Sequence, residues 1–245
     1  MLTESEWGRL LAFALEHVRG RVPVLAGTGA AATAASVQQT RRARALGADA
    51  ALVVTPYYVR PTQQGLLRHF TEVAEHGGLP IVMYNVPSRT VTNMLPETTV
   101  RLSEIENIVG VKEASGNFEG IAKIIQNSRP GFLVYSGDDS STLPILSLGG
   151  YGIVSVASHL IGKQIQRMIG HFRAGEVDAA AKLHRELLPL VNALFVVTNP
   201  IPLKYALNKV GFRVGKPRLP LVEIDPKLAA IVDAALASAT IDLPL

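Results

Sequence analysis

The strongest constraint on this chain is a rhythm. Short apolar, β-branched runs alternate with longer amphipathic stretches, and the runs recur at intervals of roughly 20–30 residues, the length of one strand–helix unit. The strand candidates are residues 22–26, 51–55, 81–85, 108–113, 132–136 and 152–157. The helical stretches between them have recognisable starts. Thr3 and Glu6 read as a capping box for a first helix reaching about His17. Thr33 and Thr62 read as N-caps, and Pro96 occupies a first-turn position. Strands alternating with helices predict an α/β fold with a parallel sheet under helical cover.

Such a sheet either stays open or closes into a barrel. Polar and glycine-rich residues stand at the C-terminal end of nearly every run: Gly27-Thr28-Gly29, Thr55-Pro56-Tyr57-Tyr58, Tyr84-Asn85, Lys112-Glu113, Ser136-Gly137-Asp138-Asp139 and Ser155. A rim fed by every strand favours a (β/α)8 barrel, whose chemistry collects at that face. An open sheet concentrates its chemistry at one switch point, and no Gly-x-Gly-x-x-Gly follows the first run. Six runs are two short of the eight that a barrel needs. Since the chain opens on a helix, the missing strands are expected at the N-terminus. Beyond about His159 the pattern is helical, with a helix through residues 175–195 and a break at Asn199-Pro200-Ile201-Pro202. The expected division is a barrel portion over residues 1–174 and a C-terminal helical region over 175–245.

Composition narrows the chemistry. With 245 residues, 48% of them hydrophobic, the chain can bury a sizeable core. It has no cysteine, so disulfides, thiolate metal sites and cysteine nucleophiles are excluded. The polar, acidic start predicts no signal peptide, and no apolar run approaches the ~20 residues of a membrane span. The net charge is +4, and the densest basic cluster, Arg41, Arg42 and Arg44, has the spacing of a solvated helix face rather than a nucleic-acid footprint.

One residue stands against this background. Lys112 is the penultimate residue of the run Ile108-Val109-Gly110-Val111-Lys112-Glu113. The run reads as a buried strand, and burial disfavours the charged form of an amine. A neutral amine attacks carbonyl carbon, so the position points to imine chemistry. Taken alone, it reads more readily as a strand-end lysine reaching out to water. Tyr57, Tyr58, Tyr84 and Arg89 occupy neighbouring strand ends. Tyrosine hydroxyls in a hydrogen-bonded chain move protons, and arginine offers a planar fork to carboxylates. Singly, each tyrosine reads equally well as a rim residue, and Arg89 as a surface ion pair. Asp138 and Asp139 read as turn residues capping the next helix rather than metal ligands. The six histidines fall mostly on helical stretches, none at a metal-ligand spacing.

Three motifs in order, one strand apart, carry a resemblance. Thr55-Pro56-Tyr57-Tyr58-x-Arg60-Pro61, Tyr84-Asn85-Val86-Pro87-Ser88-Arg89-Thr90 and Gly110-Val111-Lys112-Glu113-Ala114-Ser115-Gly116-Asn117 together resemble the dihydrodipicolinate synthase family of pyruvate-dependent class I aldolases. Ser136-Gly137-Asp138-Asp139 and Asn199-Pro200-Ile201-Pro202 also match, so the resemblance covers essentially the whole chain. It implies a (β/α)8 TIM barrel, here lacking its first two strands, with a C-terminal helical extension. It also implies a lyase that condenses pyruvate with aspartate 4-semialdehyde for lysine and diaminopimelate biosynthesis. In that reading Lys112 forms the Schiff base, Tyr84 relays protons, and Tyr58 is lent across a tight dimer interface. Arg89 holds the carboxylate of aspartate 4-semialdehyde, and the backbone at Val154 lines the pyruvate pocket. The resemblance implies no metal and no cofactor beyond the covalent imine, a homotetramer built as a dimer of dimers, and a cytoplasmic location. Arg89 favours the synthase over N-acetylneuraminate lyase or a keto-sugar-acid aldolase.

The chain also departs from the family. A Gly-Thr-Thr-Gly-Glu motif that seats pyruvate is not in the sequence, and about fifty residues, two strands and a helix, are expected to be missing from the barrel. Such a truncation predicts an exposed sheet edge and impaired catalysis, and leaves a catalytically silent barrel fragment as the alternative reading. Where lysine-sensitive relatives carry an asparagine and a glutamate, this chain has Ala31 and Ala35, and two family histidines are replaced by Glu4 and Trp7. Weak or absent lysine inhibition is therefore expected.

Overall fold

The structure, a computed structural model, describes residues 2–243. Among them, six strands form, one for each run expected from the sequence. The chain divides into two compact units. One comprises Leu2–Gly137 with Leu148–Tyr151, and the other Asp138–Ser147 with the chain from Gly152 onward.

The first unit is a parallel α/β layer. Its elements are α1 (Glu4–Val18), β1 (Leu25–Gly27), α2 (Thr33–Leu46), β2 (Ala50–Val54), α3 (Gln63–Gly77), β3 (Ile81–Asn85), the short α4 (Pro87–Thr90), α5 (Pro96–Ser103), β4 (Ile108–Glu113), α6 (Phe118–Asn127) and β5 (Leu133–Ser136). The strands pair in chain order, every pair parallel. Sequential parallel pairing requires a crossover between neighbours, and each helical stretch supplies one. The helices start where the sequence caps them. Thr3 and Glu6 form the expected capping box, and the Thr62 hydroxyl accepts the Gly65 N–H. Pro96 is the first residue of α5.

Thr33 differs from expectation. Ala32 is the N-cap of α2 and makes no side-chain cap, because the Thr33 hydroxyl instead bonds His69 Nδ1 at 2.9 Å. In the arginine cluster Arg41 and Arg44 are exposed, as expected of a solvated helix face, and Arg42 is half-buried. Arg41 Nε donates to the His76 carbonyl at 2.7 Å, and the Arg42 guanidinium lies 5.6 Å from the centre of the Trp7 ring.

The core of this unit lies between sheet and helices. Leu66, Phe70 and Val73 of α3, Ile81 and Met83 of β3, Leu102 of α5, and Ile108 and Val111 of β4 are all fully enclosed. Each such side chain contributes about 1.5–3 kcal/mol of burial. β3 and β4 do not pair in step throughout. Ile81 pairs with Ile108 but Val82 with Gly110, so Val109 is an extra residue in the ladder. From there Met83 faces Val111, Tyr84 faces Lys112 and Asn85 faces Glu113.

The second unit contains a 3-10 turn (Asp139–Ser141), α7 (Thr142–Ser147), β6 (Gly152–Ile153), α8 (Ser158–Arg173), α9 (Val177–Ala193), α10 (Ile201–Lys209) and α11 (Pro226–Ser238). Its core gathers Leu160, Ile161, Leu190, Leu194, Ala206 and Val232. β6 is shorter than the expected 152–157 run. The Asp139 carboxylate takes the Val156 and Ala157 N–H groups, at 3.0 and 3.3 Å, and so removes them from any ladder. The first strand likewise forms only at Leu25–Gly27 rather than over 22–26, since the Val24 N–H is held by the Asp49 carboxylate at 2.6 Å. No helix among the described residues is long and apolar enough to cross a membrane.

Candidate active site

Alternation along a strand sends neighbouring side chains to opposite faces, while residues paired across a ladder share a face. The Tyr84–Lys112 pairing therefore puts both side chains on one face of the sheet, and the Lys112 amine lies 4.1 Å from the centre of the Tyr84 ring. Both side chains are half-buried, at the ends of strands whose neighbouring residues are mostly enclosed. On its other side Lys112 pairs with Tyr135 of β5, whose ring meets Tyr151 edge-on at 5.3 Å. Burial, with Tyr151 beside it, raises the Tyr135 hydroxyl above the usual phenol range. Nothing in the sequence singles Tyr135 out beyond its alternation with Val134.

The opposite face of the same two strand ends is fully buried and polar. Asn85 is 1% and Glu113 2% exposed. The Asn85 Nδ2 donates to both Glu113 carboxylate oxygens, at 3.2 and 3.1 Å. It also lies within reach of Asn93 Oδ1 at 3.0 Å and the Met94 carbonyl at 3.3 Å, while Asn85 Oδ1 accepts the Met94 N–H at 3.0 Å. The Ser115 N–H donates to Glu113 Oε1 at 2.7 Å. Desolvation raises the Glu113 pKa above the usual carboxylate range, and the bonds from Ser115, Asn85 and Ala114 pull it partly back. The sequence shows only that an amide and a carboxylate end two apolar runs; their meeting depends on the pairing of β3 with β4.

Arg89 stands exposed on α4. Tyr58 stands on the loop after β2, 88% exposed and in the left-handed region with φ of 72°. The two loops are joined through threonines. The Tyr58 N–H donates to the Thr90 carbonyl at 3.4 Å, Thr55 and Thr90 hydroxyls lie 3.3 Å apart, and the Thr92 hydroxyl donates to the Pro56 carbonyl at 2.8 Å. Thr55, Thr90 and Thr92 are all buried, so the segment bearing Arg89 is tied through enclosed hydroxyls to the loop bearing Tyr58. The structure thus brings Lys112 and Tyr84 into contact and sets Tyr58 and Arg89 on exposed, mutually tethered loops.

Val154, half-buried, follows β6 in the second unit. The segment after it is held by Asp139, which accepts the Ser155 hydroxyl and the two N–H groups named above. Asp138 caps the 3-10 turn by accepting the Ser140 N–H, as expected of a turn residue, whereas Asp139 is a buried anchor. Desolvation raises the Asp139 pKa, against the lowering effect of its three donors. No group of three or more His, Cys, Asp or Glu side chains among the described residues could hold a metal ion.

Comparison with known proteins matches this arrangement to one family. The model of the dihydrodipicolinate synthetase family matches residues 1–239. A 4-hydroxy-tetrahydrodipicolinate synthase from Dehalococcoides mccartyi is 54% identical over 244 residues, spanning 100% of this chain and 82% of that protein. The synthase from Listeria welshimeri is 50% identical over 236 residues, 96% of this chain and 80% of that protein. Among solved structures, dihydrodipicolinate synthase from Thermotoga maritima superposes with a TM-score of 0.95 at 40% identity, covering 97% of this chain and 82% of that one. The enzyme from Cyanidioschyzon merolae with lysine bound gives 0.95 at 44% identity, covering 97% and 81%. The parallel α/β fold, the lysine and tyrosine on adjacent strand ends and these matches lead to one conclusion: the chain belongs to the dihydrodipicolinate synthetase family.

Proposed function

We propose that this protein condenses pyruvate with aspartate 4-semialdehyde to give 4-hydroxy-tetrahydrodipicolinate. The observation that carries the proposal is the Lys112 amine held 4.1 Å from the Tyr84 ring in a chain half-identical to synthases of that name. Lys112 attacks the pyruvate ketone and expels water to give an imine. The imine draws electrons from the adjacent methyl group, so loss of a methyl proton yields an enamine without a metal or cofactor. Tyr84 moves protons at that step and again when the enamine carbon bonds the aldehyde. Tyr58, exposed on a strained turn, serves the proton relay from a neighbouring subunit, so the proposal includes a homo-oligomer. Arg89 offers its guanidinium to the carboxylate of aspartate 4-semialdehyde. The backbone at Val154 lines the pyruvate pocket. Ala31 and Ala35 offer no ion-pairing group, so lysine is expected to inhibit weakly or not at all.

Borohydride reduction in the presence of pyruvate tests the reading. Intact-mass and peptide analysis should find a reduced pyruvate adduct on Lys112. An assay with both substrates should then yield the cyclic product. A protein that forms no adduct at saturating pyruvate would be a silent barrel of this family.

A further inference from the structure

The buried face behind Lys112 and Tyr84 carries a polar cluster that the reaction itself does not use. Glu113 is the residue after Lys112, Asn85 the residue after Tyr84, and the two are paired across the ladder just as Lys112 and Tyr84 are. Each reacting side chain therefore shares its peptide unit with one half of the cluster. The two hydrogens of the Asn85 amide have both Glu113 oxygens, Asn93 Oδ1 and the Met94 carbonyl within reach, and the amide oxygen accepts the Met94 N–H. Asn93 and Met94 lie just beyond the loop that bears Arg89. Three segments thus meet at one buried amide: the end of β3, the end of β4 and the return of the Arg89 loop.

Stability alone does not explain such a cluster. No cation pairs with Glu113 in the ion pairs of the described residues. An enclosed carboxylate without a counter-charge is costly, and apolar residues of similar size commonly serve a strand interface at least as well. What the cluster does supply is directional constraint. A one-residue slip, or a small rotation of either strand end, would break several of its bonds at once. On the other face, the same movement would change the separation of the amine and the tyrosine.

Building on the function proposed above, we propose that Glu113, acting through Asn85, is a positioning residue that fixes the approach of Tyr84 to the Lys112 amine. A misplacement of about 1 Å at reacting atoms costs on the order of 100-fold in rate, so a fraction of that shift is measurable.

The test is the rate of borohydride-trappable imine formation at saturating pyruvate, read by intact mass on the full chain. Glu113→Gln keeps the shape but sets an NH2 group against the Asn85 NH2 group. The expected result is a trapping rate at least fivefold lower, with the half-saturating pyruvate concentration changed by less than threefold. Ile121→Val, alone or with Ile124→Val, provides a stability control on α6. When matched in melting temperature to the Gln variant, it is expected to trap at the unmodified rate. If Glu113→Gln does not fold, Asn85→Ser removes the other half of the same contact and is read against the same threshold. A fall smaller than fivefold overturns the proposal, as does an equal fall in the stability-matched control. If the unmodified protein forms no adduct, the functional reading itself fails and takes this one with it. If the unmodified protein and Glu113→Gln form it equally fast, only the positioning role fails.

Discussion

Replacing Gly137 by alanine would press directly on the proposed nucleophile. Gly137 follows β5, and its N–H donates to the Glu113 carbonyl at 2.7 Å. A Cβ built there would lie 2.8 Å from the Ala114 Cβ, 3.2 Å from the Glu113 carbonyl oxygen and 3.2 Å from Lys112 Cε. Carbon atoms rest at about 3.5–4.0 Å, so Ala114 would have to yield at least about 0.7 Å and Lys112 Cε at least about 0.3 Å. Ala114 has no rotamer to change, and its N–H is bound to the Asn85 carbonyl at 2.9 Å. The strain therefore falls on the backbone at the β4–β5 end. Gly137 is absent from the positive-φ residues, so the effect is steric rather than conformational. Overpacking of this kind costs about 1–3 kcal/mol, which for a chain of this size lowers the melting temperature by about 2–12 °C. The displaced Cε carries Nζ with it, and a shift of a few tenths of an ångström should slow imine formation by about 3–10-fold. Differential scanning fluorimetry and pyruvate trapping on the same preparation measure both effects. A Gly137→Ala variant with the melting temperature and trapping rate of the unmodified chain would refute the close approach at this position.

Lys112→Arg should form no pyruvate adduct while melting within a few degrees of the unmodified protein, as checked by intact mass and fluorimetry. His69, 4% exposed, has its pKa lowered to about 4 by burial. The unfolded chain therefore takes up a proton more readily, and stability present above about pH 6.5 is lost as pH falls toward 4, by roughly 3 kcal/mol in all. His69→Gln should flatten that part of the pH–stability profile in urea titrations. Asp139 shifts the other way. Its raised pKa means that the folded protein holds the proton more tightly, so this group's contribution to stability falls as pH rises above the ordinary carboxylate range. Asp139→Asn should remove that slope, and hydrogen exchange should show faster exchange of the Val156 and Ala157 amides once their acceptor is weakened.

Much of this architecture could be read from periodicity. Ile81–Asn85 and Ile108–Glu113 form with the bounds expected, because both runs are apolar, β-branched and closed by polar residues. Lys112 and Tyr84 were visible for the same reason, as polar groups at the end of strands that otherwise bury. What the sequence hid was tertiary. The Thr33 hydroxyl had two uses open to it, and only the packing of α2 against α3 selects His69 over the helix cap. The run from Gly152 has the pattern of a six-residue strand, but a carboxylate distant in the sequence claims two of its amides. In the sequence Glu113 is simply a polar strand end, since what distinguishes it is the Asn85 amide brought to it across the ladder.

The unpaired Val109 in β4 separates the strand into two halves with independent settings. Below it, Ile108 keeps step with Ile81; above it, Lys112 keeps step with Tyr84. β4 takes four steps between those pairs where β3 takes three, and bulges of this kind sit near active sites and re-aim side chains. The surplus residue is slack in the chain. Loss or gain of one residue in the lower half of β4 can be absorbed there as a changed ladder, while the upper half stays clamped by its own bonds. Sequence drift at the base of the sheet is thereby insulated from the distance at which an amine meets its tyrosine.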